Sequence, residues 1–106
     1  MSDEVVVVLV TGPDRDAMTE LARELLDRRL IACANILDGV DSLYTWEGEA
    51  KHDREALALL KTVASRVPAL TEAIVSLHPY DVPEVLALPA VGGSAAYLAW
   101  VGSAAS

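Results

Sequence analysis

The side chains able to do chemistry are few in this sequence, and most of them gather in one stretch. Leu77 to Pro89, LHPYDVPEVLALP, holds His78, Tyr80, Asp81 and Glu84 among three of the five prolines. A histidine at a helix exit, with two carboxylates close in sequence, is placed to ligate a metal or carry a proton. The plainer use of that position is to satisfy the last helical carbonyls, and the residues alone favour it. Tyr80, in HPYDVP, has an extended backbone and a fixed phenol. Such a phenol suits a pocket edge or, more commonly, packs with one bonded hydroxyl. Lys61 falls in the apolar run ALLKT. A lysine there needs a carboxylate, an anionic ligand or an edge to reach. Tyr44, Trp46 and Glu47 form YTWEG, aromatic residues near a hairpin end beside an acid able to pair or ligate. Interface contact and core packing are equally open for Trp46.

Other chemistries are poorly supplied. Cys33 is the only cysteine, so neither an internal disulfide nor a thiolate cage is available. One cysteine and two widely spaced histidines do not make a Zn or Cu(I) site within one chain. A specific metal site must use carboxylates or borrow ligands from a second copy. His52 is read as solvated, on a polar loop. TGPDRD is not a phosphate-cradling loop, and Gly92-Gly93 before Ser94 is a weak anion signal. No nucleophile spacing accompanies His78 with Asp81 or Glu84, so an enzyme ranks last. The net charge of -8, from 16 acids against 8 Lys and Arg, repels a phosphate backbone and argues against nucleic acid. The start of the chain is acidic, and Val5 to Val10 is too short an apolar run for a signal core or a membrane span. The expectation is a cytoplasmic protein with no membrane partner.

These residues must be positioned by one domain, since 106 residues leave no room for a second. Glu4 to Thr11 reads as a strand apolar on both faces. A helix follows to about Arg29, with Asp14 and Asp16 in its first turn. A long extended segment from Ala32 is broken at Asp38-Gly39 by a bulge or turn. Glu47 to Asp53 reads as a polar hairpin tip, and Arg54 to Thr62 as the return strand, with Leu57, Leu59 and Lys61 on one face. Ser65 is expected to cap a helix that has Pro68 in its first turn, a buried stripe of Val67, Leu70, Ile74 and Leu77, and an end at Pro79. PEVLALPAV reads as an edge strand. Ser94 opens a last short helix carrying Tyr97, Leu98 and Val101. The order is β-α-β-β-α-β plus a C-terminal helix, an α+β ferredoxin-like plan with an antiparallel sheet and two helices on one face. The other face still needs cover, which, with 53% hydrophobic residues, points to self-association.

VLVTGPD, RLIACANI, SLYTWEGE, LLKT, LHPYDVPEVLALP and YLAW occur in this order along the chain. Together they resemble the CutA1 family, the divalent-ion tolerance proteins. The resemblance implies a homotrimer of ferredoxin-like subunits with PII-like architecture, a link to tolerance of copper and other divalent cations, and no catalysis. His78 matches the histidine of the family's His-Pro-Tyr motif and is expected, with Glu84, to contact metal. Lys61, Tyr80, Trp46 and Glu47 match positions that line clefts between subunits, where a small ligand is expected. Val10 and Leu77 stand where some members carry a cysteine and a second histidine, so a copper site built from that pair is incomplete here. The implied function is weak binding of Cu(II) or another divalent cation at inter-subunit clefts, with no cofactor required. The alternative is a PII-like signalling module that binds a small anionic metabolite between subunits, with Lys61 and the Gly93-Ser94 helix start at its positive end.

Overall fold

The computed structural model describes residues 3–106, and all statements of structure refer to them. β1 spans Val5–Gly12. Its β-branched run favours extended backbone, and alternate residues Val6, Val8 and Val10 are buried. α1, Arg15–Asp27, begins where the Asp14 carboxylate accepts the Ala17 N–H at 2.8 Å. It buries Met18, Leu21, Ala22 and Leu25, one stripe at helical spacing. It stops two residues before the expected end, because Arg29 turns left-handed at φ 56°.

β2 (Cys33–Trp46) and β3 (Glu49–Val63) form one long antiparallel hairpin. The expected break is a bulge: register shifts between Leu37 and Val40, and Gly39 sits at φ 69°. The polar tip expected over Glu47 to Asp53 is mostly strand. Only Glu47 and Gly48 turn, at φ 51° and 80°, and a two-residue turn with both φ positive matches the twist of the strands it joins. Polarity misled here because the distal arm is solvated on both faces, so its residues look like loop residues. His52 is paired in register with Leu43, and its Nε2 lies 3.2 Å from Asp41 Oδ1.

α2, Val67–Leu77, has Pro68 in its first turn and buries Leu70, Ala73 and Ile74. Ser65 does not cap it. A 3-10 turn over Ala64–Arg66 leads in, and the Ser65 amide and hydroxyl both donate to Asp3. Leu77, expected in the buried stripe, is 40% exposed in the last turn. β4 is only Leu86–Pro89, shorter than PEVLALPAV, and it pairs with β1 alone. Prolines at both ends of the stretch remove ladder donors and limit the pairing. α3, Ala95–Ala104, is capped as expected by Ser94, whose hydroxyl accepts the Tyr97 N–H.

The sheet order is β2-β3-β1-β4, antiparallel throughout. This is the expected α+β ferredoxin-like architecture. α1 and α2 cover one sheet face and close the core over Val6, Val8, Val10, Ala56, Ala58 and Leu60. The opposite face is covered at one end only, where Val101 and Ala105 of α3 pack on Ala32 and Val63. Leu86 and Leu88, 53% and 43% exposed, continue that face to the β4 edge.

Candidate functional site: an acidic cleft under the hairpin arm

The site begins with the end of α2. His78 leaves the helix in extended conformation, ψ 142°, as a residue before proline must. Its side chain is buried. Nε2 lies 2.8 Å from the Thr11 carbonyl, and Nδ1 lies 3.1 Å from the Tyr80 amide nitrogen. An amide can only donate, so Nδ1 accepts and the ring proton sits on Nε2. The imidazole therefore ties β1 to the loop that follows Pro79. The Tyr80 ring rests 4.7 Å from it, tilted by 59°. Beyond, the Tyr80 hydroxyl donates to Glu55 Oε2 at 2.8 Å, and Glu55 belongs to β3. Hydrogen bonds thus tie Thr11 to His78 and His78 to the Tyr80 backbone, and the Tyr80 phenol ties the loop to Glu55.

Between this loop and the arm lies an open cleft of about 890 Å³. Glu55 forms its floor, Tyr80 and Glu84 its loop side, and Tyr44 and Trp46 its arm side. Five acidic residues line it, Asp41, Asp53, Glu55, Asp81 and Glu84, against the single basic residue Arg54, and the Asp41 carboxylate is engaged by His52. Tyr44 spends its hydroxyl on Asp53. Burial, and then the charge of Glu55, hold the Glu84 carboxyl above the ordinary carboxylate range. Burial and the bond to Glu55 push the Tyr80 phenol up, so it remains a neutral donor. Tyr44 is raised as well, chiefly by its bond to Asp53.

Of the six site residues implied by the resemblance, three meet in this cleft, Tyr80, Trp46 and Glu84. His78 stands behind it, with both ring nitrogens already bonded inside the chain. Lys61 lies on the open sheet face, opposite Val7 and Cys33 in register, and donates to Asn35. Glu47 occupies the arm's turn, outside the cleft lining. Cys33 Sγ lies 3.5 Å from the Tyr97 hydroxyl, at the α3 end of the same sheet face. Among the described residues, no three His, Cys, Asp or Glu side chains converge as a metal cluster. Sequence reasoning missed Glu55. The signal was present, because period two places Glu55 on the face of Leu57, Leu59 and Lys61.

Residues 6–104 match the family described as CutA1 divalent ion tolerance protein. The chain belongs to the CutA1 family. It is 44% identical over 95 residues to the divalent-cation tolerance protein CutA of Thermus thermophilus, covering 90% of this chain and 92% of that one. It is 47% identical over 96 residues to the chloroplastic CutA of Arabidopsis thaliana, covering 91% of this chain. It spans about half the length of the chloroplastic relatives, 53% of the Arabidopsis protein and 54% of the CutA 1 of Oryza sativa. The crystal structure of CutA1 from Oryza sativa superposes with a TM-score of 0.93 at 43% identity, covering 97% of this chain and 94% of that one. The family's description names tolerance to divalent ions and no reaction. No helix among the described residues is long and apolar enough to cross a membrane.

Proposed function

We propose that this CutA1 chain is a non-catalytic, cytoplasmic cation-binding protein that acts in divalent-cation tolerance as a homotrimer. The observation that carries the cation reading is the floor of the cleft, a buried carboxylate, Glu55, facing Glu84 with no Lys, Arg or His paired to it among the described residues. Two neighbouring carboxylates without a counter-charge repel one another, and a bound cation would relieve that repulsion. Glu84 is the first ligand in this reading. His78 joins it only by giving up the Tyr80 amide. Oxygen donors suit hard divalent ions, and Cu(II) binds through its general affinity for such ligands rather than through a site tailored to copper. The binding is weak, because no donor cage closes among the described residues of one chain.

Assembly is supported by three features. One sheet face is open and apolar, both sheet edges (β2 and β4) lack a neighbour among the described residues, and Leu43, Tyr44 and Trp46 stand exposed on the arm. Unpaired edges and apolar patches of this kind are covered in stable proteins. The anion-binding alternative lacks comparable support, since Lys61 is engaged by Asn35 and the cleft is negative. Calorimetric titration with Cu(II) and Mn(II) tests the reading. Glu84→Gln is expected to weaken binding about tenfold, roughly 1.4 kcal/mol. Wild-type affinity in that variant overturns it.

A further inference from the structure

We propose that Asp38-Gly39, in the β2 bulge, is a site of spontaneous aspartyl isomerisation, and that the isoaspartyl form loosens the arm beyond it. The site is remote from the cation reading and stands or falls without it. Asp38 is the only aspartate in the sequence that is followed by glycine.

The fold both requires that glycine and exposes its nitrogen. Gly39 sits at φ 69°, and a Cβ there would lie 3.0 Å from the Arg54 guanidinium, so no other residue fits without strain. The register breaks between Leu37 and Val40, which leaves Asp38 and Gly39 without a regular ladder partner on β3. The Gly39 N–H donates instead to Asp38 Oδ1 at 2.9 Å. The carboxyl group is thus folded back on the nitrogen that must attack it, and such proximity favours reaction. Other aspartates are held differently. Asp41 and Asp53 occupy regular ladder positions and engage His52 and Tyr44, and Asp14 caps α1. Ala34 and Ile36 pack on the core, so period two puts Asp38 on the helix side of the sheet, where its Oδ2 lies 3.8 Å from Arg15. The side chain is 52% exposed, and an assembly over the opposite sheet face leaves it in water.

The reaction needs only water. The Gly39 nitrogen attacks Asp38 Cγ and an N–C bond forms. A carboxyl oxygen leaves as water, taking the amide proton and one proton from solvent. Water then opens the cyclic imide and returns the solvent proton. Cleavage of the bond from nitrogen to Cγ restores aspartate. Cleavage of the bond to the backbone carbonyl carbon routes the main chain through the side chain, which is isoaspartate. That form carries one extra methylene in the backbone, at the point where the bulge sets the register of Val40 to Trp46 against Glu49 to Glu55. The arm beyond is a two-stranded hairpin, mostly exposed, and a hairpin alone is marginally stable, so that register is its main support.

Ageing the folded full chain at neutral pH and physiological temperature tests this. Isoaspartate is counted with a protein isoaspartyl methyltransferase and labelled S-adenosylmethionine, and placed by fragmentation of the peptide that holds both Asp38 and Asp41. Asp38 is expected to convert at least about tenfold faster than Asp41, and within about threefold of its rate in the urea-unfolded chain. Asp38→Glu, which would have to close a larger ring, is expected to lose the signal. Asp38→Asn is expected to lose its amide faster than the wild type isomerises, with a mass shift that reads it directly. Hydrogen exchange on the converted fraction is expected to speed up at least about tenfold over Val40 to Trp46 while β1 stays protected. Conversion spread equally over Asp38 and Asp41, suppression by folding beyond about tenfold, or a signal that persists in Asp38→Glu overturns the proposal. Unchanged exchange over the arm in converted protein overturns the loosening. The wild-type mapping carries the test even if a variant fails to fold.

Discussion

Replacing His78 with alanine separates two roles that one histidine could play. In the structure the imidazole is a strut. It donates to the Thr11 carbonyl at 2.8 Å and accepts from the Tyr80 amide at 3.1 Å, and it is buried. Truncation leaves one backbone acceptor and one backbone donor without partners. Each orphaned group costs about 1–3 kcal/mol when buried. The shallow dimple beside His78, bounded by α1 and Pro79, lets water reach part of the vacated space, which favours the lower end. The expected loss is therefore about 2–4 kcal/mol, at roughly 4–8 °C of melting temperature per kcal/mol for a domain of this size. The assay is urea unfolding at one fixed protein concentration, because assembly makes stability concentration-dependent. The same samples are titrated with Cu(II) under conditions where both remain folded. The strut role predicts a large stability loss and less than about threefold change in Cu(II) affinity. A variant as stable as wild type that has lost Cu(II) binding refutes the strut and makes His78 a primary ligand.

Tyr80→Phe removes the only side-chain hydrogen bond to Glu55 among the described residues, so the expected cost is about 1–3 kcal/mol by denaturant unfolding. A change under about 0.5 kcal/mol would show that the bond is not formed in solution. Glu84 has a folded-state pKa above its ordinary value of 4.5, so the folded chain holds that proton more tightly than the unfolded one. Its contribution to stability therefore rises as pH falls from the raised value towards 4.5, and is absent above that window. The difference in urea midpoint between wild type and Glu84→Gln should shrink as pH falls through this range; a difference independent of pH contradicts the assignment. Cation affinity should fall over the same range, as protons compete for the ligand. Light scattering at micromolar concentration should return three times the mass of one chain, and a folded monomer of 11.3 kDa would contradict assembly.

The fold was legible because its signals were redundant. The β-branched run of β1, the helical stripe of α1, and the prolines that stop α2 and confine β4 each agree with the ferredoxin-like order. The arm was not, because residues 47–53 are polar on both faces, and in an arm held away from the core polarity no longer distinguishes strand from loop. Ser65 failed as a cap because a carboxylate distant in sequence, Asp3, took its hydroxyl. HPYDVPE marked the end of α2, since a histidine held before proline has few ways to continue a helix. The floor was harder to see. Glu55 is separated from Tyr80 by 25 residues, and only the setting of the loop after α2 against β3 brings them within 2.8 Å. Lys61 drew attention as a charge in an apolar run, yet the face it occupies is solvated in one chain, where Asn35 suffices as its partner.

The central claim is that this CutA1 chain holds cations in the cleft floored by Glu55 and edged by Glu84. A crystal soaked in Mn²⁺ and measured by anomalous scattering tests it most directly. The account predicts a peak within about 2.5 Å of a carboxylate oxygen of Glu84 or Glu55. A cleft without a peak, with manganese bound instead at His52, at Cys33 or nowhere, would contradict it.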